Sequence, residues 1–266
     1  MNNLIINKIK NKIEDRSLIK YILWKMGLIK LFYFLKDPMY IIKLCYLSFV
    51  LNVIKTNNTE KLLEYKFKLH RHKKSDIYEH MDLLYTYSLK CQSIFETGVR
   101  GVVSSWAFLK GLNDNNFGEK TFVMNDINYC NTDKIQELST KSGIDFLFVQ
   151  KNNLSLDLNR KFDLTFIDTW HVYGQLKREL QKFSLLTNKY IILHDTTIDG
   201  EFGESLRFNL DVKKQSEESG FPISEIEKGL WPAVEEFIND SSEWILEKRL
   251  TNCNGLTILK RINQNT

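Results

Sequence analysis

Three short apolar runs in this chain end in Gly, Asp or His, and their order constrains the fold more than any other feature. They are Ile94–Ser105 (IFETGVRGVVSS), Phe162–Tyr173 (FDLTFIDTWHVY) and Lys189–Thr196 (KYIILHDT). Runs of this length suit buried strands of a parallel α/β sheet, and the polar residues that close them fall where such a sheet presents its ligand-binding edge.

Strand and helix signals alternate from Ser93 onward. Strands are predicted at Ser93–Glu96, Thr121–Asn125, Asp145–Val149, Phe162–Ile167 and Tyr190–Leu193, with helices at Ser104–Leu112, Asp133–Ser142 and Val172–Leu185. Gly143 is placed to end the second helix in the left-handed conformation. In the third helix, Val172, Leu176, Leu180 and Phe183 recur at helical spacing. Repeated units of this kind require right-handed crossovers and a sheet covered on both faces. The tail breaks the alternation: a helix over Leu230–Ile238 with Pro232 in its first turn, then Trp244–Leu250 and Leu256–Ile262 flanking TNCNG, whose Asn254-Gly255 suits a hairpin turn.

Composition allows one substantial core and a smaller appendage: 266 residues, 43% of them apolar. Residues 1–75 carry 16 Lys/Arg against 5 Asp/Glu, and the remainder 21 against 28, so a basic extension precedes an acidic body. Tyr21–Ile54 is apolar but interrupted by Lys25, Lys30, Lys36, Asp37 and Lys43, short of the roughly 18 clean residues that a spanning helix needs. It reads as an amphipathic helical cap, or as a peripheral contact with a membrane face or partner. TNNTEK and HRHKK break the apolar pattern and mark a boundary near 57–74; the chain divides into an extension, 1–75, and a catalytic body, 76–266. Four scattered cysteines without a C-x-x-C pair suggest neither zinc nor a disulfide framework, so a cytoplasmic setting, with or without membrane association, is expected.

In ETGVRGVVSSW, Gly98 and Gly101 let backbone approach a ligand, and Ser104 or Ser105 can cap the next helix and aim its N–H groups at a carboxylate. A tight turn would need glycines anyway. Asp126, 28 residues beyond Gly98 at the end of the second strand, can take both hydroxyls of a ribose, or cap a turn. Asp168 and His171 follow the fourth strand and His194-Asp195 ends the fifth, so carboxylates and imidazoles from separate strands converge. Two carboxylates beside a substrate suit a hard divalent cation, and His171, with an ordinary imidazole pKa, suits proton removal. His171 could equally cap a helix, and His194 could merely orient Asp195. Trp170 is placed to stack on a sugar or to pack beneath the helix, while Tyr173 and Thr196 sit where an acceptor would enter.

At these residues the chain resembles the class I S-adenosylmethionine-dependent methyltransferases grouped with macrolide-sugar O-methyltransferases and cephalosporin-hydroxylase-like proteins. The matching segments are Glu96-Thr-Gly98-Val-Arg-Gly101-Val-Val-Ser104-Ser105, Ile167-Asp168-Thr-Trp-His171-Val-Tyr173 and His194-Asp195-Thr196. The resemblance covers residues 76–262 and implies a Rossmann-like sheet, mostly parallel, closed by an antiparallel hairpin. It implies S-adenosylmethionine bound by Glu96, Gly98, Arg100, Gly101, Ser104, Ser105, Asp126 and Asp168. A Mg²⁺-type ion would be held by Asp168, Asp195 and His194, with His171, Asp168 and His194 catalytic. His194 stands where a carboxylate is usual in the family, which lowers the expected affinity for Mg²⁺. The expected acceptor is a sugar hydroxyl of a glycan or small molecule, and a homo-oligomer is compatible with the sequence. RNA is the weaker alternative because the body is acidic, and a catalytically inactive scaffold is the third reading.

Overall fold

The computed structural model describes residues 58–262, so the apolar stretch Tyr21–Ile54 and its expected cap or membrane role lie outside the described residues. The segment read as a boundary contains α1, Thr59–His72, which starts on the Asn58 side chain accepting from the Lys61 amide and buries Leu62, Leu63 and Phe67. Helix α2, Met81–Ser88, leads into the sheet.

Seven strands then form one sheet: β1 Ser93–Thr97, β2 Lys120–Asp126, β3 Ile144–Gln150, β4 Phe162–Ile167, β5 Thr187–His194, β6 Trp244–Leu250 and β7 Leu256–Arg261. Their order is β3-β2-β1-β4-β5-β7-β6, parallel from β3 to β5, with β7 antiparallel to both β5 and β6. This is a Rossmann-like sheet, mostly parallel and closed by an antiparallel hairpin, as expected. Helices α3 (Ser104–Asp114), α4 (Asp133–Lys141) and α5 (Tyr173–Phe183) make the crossovers. After β5 come three short helices, α6 Glu204–Arg207, α7 Val212–Ser219 and α8 Ile223–Glu227, and then α9, Trp231–Asp240, with Pro232 in its first turn.

Burial follows position in the sheet. All six residues of the central strand β4 are buried, whereas β6 lies at an edge and exposes Glu247, Lys248 and Arg249, charges that discourage pairing with another chain. Phe95, Phe162 and Phe183 pack ring to ring, joining β1, β4 and α5. Among the described residues no helix is long and apolar enough to cross a membrane.

Strand register decides which side chains meet. Thr97 is opposite both Asn125 and Ile167, and Ile167 is opposite Leu193. Gly98, Asp126, Asp168 and His194 therefore emerge at one level of the sheet edge, where strand order reverses on either side of β1. His194 is paired with Leu256, which brings the tip of the β6–β7 hairpin to that same edge.

Candidate functional site

The loop after β1 is built around one close approach. Gly98 has φ +86°, and a Cβ there would lie 1.8 Å from the Asp168 carbonyl oxygen. Arg100 and Val102 also have left-handed backbones, at φ +39° and +56°, which is costly for a β-branched residue. Asp126 offsets part of that cost: its Oδ2 accepts from the amides of Val99 and Arg100, each at 2.9 Å, and its Oδ1 from the Asn128 amide at 2.8 Å. The residue expected to hold a ribose thus also holds the loop. The Arg100 guanidinium pairs with Asp76.

The expected capping role of the serines is corrected. Helix α3 has Val103 at its N-cap and no side-chain cap; Ser104 Oγ instead donates to Glu96, and Ser105 is buried. Burial pushes the Glu96 carboxyl up to about 8, because charge in an apolar interior is penalised. Gly101 faces a smaller cavity of about 230 Å³ shared with Asp76, Arg100, Ser104 and Asp168.

The main cavity, about 530 Å³, is bordered by Gly98, Asp126, Asp168, Trp170, His171 and Glu204. Ile127 and Tyr129 stand on its rim, 63% and 70% exposed, although soluble proteins usually bury such side chains. Its floor holds a polar network that sequence reasoning missed. Glu179 Oε1 accepts from Asn153 Nδ2 at 2.5 Å, Thr169 Oγ1 at 2.6 Å and Gln175 Nε2 at 2.7 Å. Asn153 Nδ2 also lies 3.1 Å from Thr97 Oγ1, which donates to Asn125 Oδ1 at 2.8 Å. The sequence signal was available: Gln175 and Glu179 flank Leu176 and Leu180 on the apolar stripe of α5, and charge on a buried helical face needs partners.

At the far side of the cavity two imidazoles meet four carboxylates. Asp168 Oδ1 lies 3.1 Å from His171 Nε2 and 3.3 Å from His194 Nδ1. His171 Nδ1 lies 3.1 Å from Asp199 Oδ2 and 3.2 Å from both Asp195 Oδ2 and Glu204 Oε2. Burial alone would depress the His171 pKa, but the carboxylates of Asp168, Asp199 and Glu204 outweigh it and raise it well above the imidazole range. The expected ordinary pKa of His171 does not survive this setting, because the carboxylates around the ring shift it upward. His194 is likewise lifted to about 9: burial opposes the shift, and the Asp168 charge leads it. Asp168 is held well below the usual carboxylate range despite its burial, by His194 and His171.

Asp168, His194 and Asp195 offer ligand atoms within 4.8 Å of one another. His194 Nε2 lies 3.2 Å from the carbonyls of Asp76 and Cys253, leaving Nδ1 to face the carboxylates, the usual arrangement of a metal-binding histidine. Asp195 Oδ1 is buried without an aligned hydrogen-bond donor. These residues fit a divalent cation.

Of the expected acceptor residues, Trp170 borders the cavity and stacks on Phe221 at 5.8 Å. Tyr173 and Thr196 do not reach it. Tyr173 is buried in the core against α9, its hydroxyl donating to Glu236, because it lies on the stripe with Leu176, Leu180 and Phe183. Thr196 is fully buried, with its hydroxyl 2.9 Å from that of Thr257.

No protein-family model and no curated protein sequence matches the chain. Among solved structures it is similar to an O-methyltransferase from Bacillus cereus in complex with SAH, with TM-score 0.48 and 14% identity over 81% of this chain and 96% of that one. It is also similar to the O-methyltransferase TomG from Streptomyces achromogenes, in complex with SAM, with TM-score 0.47 and 12% identity over 79% of this chain and 92% of that one. A third is the N-methyltransferase NodS from Bradyrhizobium japonicum, with TM-score 0.44 and 9% identity over 71% and 97%.

Proposed function

We propose that the chain is an S-adenosylmethionine-dependent O-methyltransferase whose acceptor is a sugar hydroxyl. One observation carries this reading: the Gly98 loop and Asp126 border the same cavity as Asp168 and His171, and His194 and Asp195 stand against those two residues from behind, 3.3 Å from Asp168 and 3.2 Å from His171. A cofactor-sized space then abuts a site for acid–base chemistry.

The donor supplies an already activated methyl group, so the chain must align the acceptor oxygen, take its proton and exclude water. Asp126 and the left-handed loop shape the ribose end, and the Asn153–Glu179–Gln175 network fixes the floor. Trp170, half-buried and stacked on Phe221, borders the cavity where a sugar could contact its ring. His171 Nε2, at the cavity wall, is the atom to receive the acceptor proton once the surrounding negative charge is offset.

Asp168, His194 and Asp195 would hold the cation that offsets it. Such an ion, when bound, supplies a Lewis acid that lowers the pKa of a hydroxyl. His194 in place of a third carboxylate softens the site and favours Mn²⁺ or Zn²⁺ relative to Mg²⁺.

Titration calorimetry with S-adenosylmethionine, followed by labelled-methyl transfer to a panel of sugar nucleotides and glycans with and without chelator, tests the proposal. Micromolar donor binding and label on a sugar oxygen are expected. Absence of donor binding would discard the methyltransferase reading, and label on an amine or on RNA would discard the sugar.

A further inference from the structure

Asp199 belongs to none of the sequence motifs, yet it is fully buried beside His171. Its backbone is fixed from two directions: its amide donates to the Asp195 carbonyl at 3.1 Å, and its carbonyl accepts from Leu230 at 2.8 Å. Gly229 permits this, since a Cβ there would lie 2.5 Å from the Asp199 carbonyl oxygen. Its side chain is gripped by Arg207, with Nε 2.6 Å from Oδ1 and Nη2 2.8 Å from Oδ2. A two-point contact of this kind fixes the plane of the carboxylate.

Three carboxylates come within 3.2 Å of His171 Nδ1, but only that of Asp199 also has hydrogen-bond alignment. His171, Asp199 and Glu204 could by spacing hold a metal ion. The Arg207 guanidinium argues against it, because a cation already engages both Asp199 oxygens and a second would be repelled.

We propose that Asp199, clamped by Arg207, is the positioning residue for His171: it accepts the Nδ1 proton, fixes the ring plane and so presents Nε2 to Asp168 and the cavity. This rests on His171 being the proton acceptor of the proposed function. The clamp also ties the ring to α6, since the Glu204 amide donates to the His171 carbonyl at 3.0 Å and Arg207 is the last residue of that helix. A histidine so held has one tautomer and one orientation, the condition that a directed proton transfer needs.

Proton-detected NMR of the full chain labelled with ¹⁵N-histidine tests the clamp directly. One low-field Nδ1–H resonance is expected, identified by its loss in His171→Gln. It should persist in Glu204→Gln and vanish in Asp199→Asn. Persistence in a folded Asp199→Asn protein, or loss in Glu204→Gln, would overturn the assignment. Should Asp199→Asn not fold, Arg207→Gln decides: release of the carboxylate must broaden or shift the resonance, and an unchanged signal overturns the proposal. Donor titration of the same proteins keeps the two readings apart. Wild-type protein that binds no S-adenosylmethionine would remove the methyltransferase reading and leave the ring geometry to be judged by the resonance alone.

Discussion

Gly98 and Asp168 are in backbone contact across the sheet edge, with room for a hydrogen at Gly98 and for nothing larger. Two strands are thereby locked at the level where the proposed donor and acceptor meet. The contact, and not the sequence spacing of the glycines, identifies the one that the loop requires.

Gly98→Ala is therefore expected to destabilise the protein by several kcal/mol, on the order of other strained or overpacked substitutions, and to abolish donor binding. Gly101→Ala should be near neutral in thermal unfolding, because its Cβ would meet only Val103 Cγ2 at 3.8 Å. Melting temperatures of the two variants, measured side by side, check this; equal losses would refute it.

Asp126→Ala should weaken S-adenosylmethionine by at least about tenfold, since hydrogen bonds to a charged group contribute roughly 1.5–3 kcal/mol each. It should also speed hydrogen exchange at the amides of Val99 and Arg100, which lose their acceptor. Calorimetry reads the first effect and exchange mass spectrometry the second. Weaker binding without faster exchange would mean that the carboxylate serves the ligand alone.

Glu96 makes a signed prediction about pH. Burial pushes its carboxyl up to about 8 in the folded state, against an ordinary carboxylate value near 4.5 when unfolded, so between those values the folded state holds the extra proton. Stability from this group is then fully present below 4.5, falls by about 1.4 kcal/mol per pH unit above it, and levels off beyond 8. Glu96→Gln should remove that slope. Denaturant midpoints from pH 5 to 9 for both proteins test it, and parallel curves would contradict the buried charge penalty.

Chelation and His171→Ala should each suppress turnover while leaving donor affinity within about threefold, because neither group is expected to bind the donor. His194→Glu should tighten Mg²⁺, an oxygen-seeking ion. Calorimetric titration with Mg²⁺ and Mn²⁺ is the check. Full activity in chelator would remove the metal, and an active His171→Ala would remove the base.

The strand ends were legible because apolar runs closed by Gly, Asp and His are rare for packing reasons alone, and the observed strands begin and end within a few residues of the expected positions. Gly143, at φ +67°, ends its helix as read. The segment after β5 was not legible. Asp199, Glu204 and Arg207 lie among turns and a four-residue helix, where no periodicity marks an inward side chain. Tyr173 lies close to His171 in sequence, but its helical phase points it into the core. Thr196 shows the same limit, since its partner Thr257 is 61 residues away.

The hydrogen-bonding position of His194 against the Cys253 carbonyl has a consequence in time as well as in space. A chain emerging from the ribosome completes β1 to β5, and with them the Gly98 loop, well before residue 253 exists. The Asp76 carbonyl and Asp168 are already made by then, and the last hairpin adds the second carbonyl against Nε2. A translation product arrested before the hairpin would therefore carry β1 to β5 with His194 short of one of its two carbonyl partners, so the proposed donor site and the full set of contacts around this imidazole are completed at different stages of synthesis.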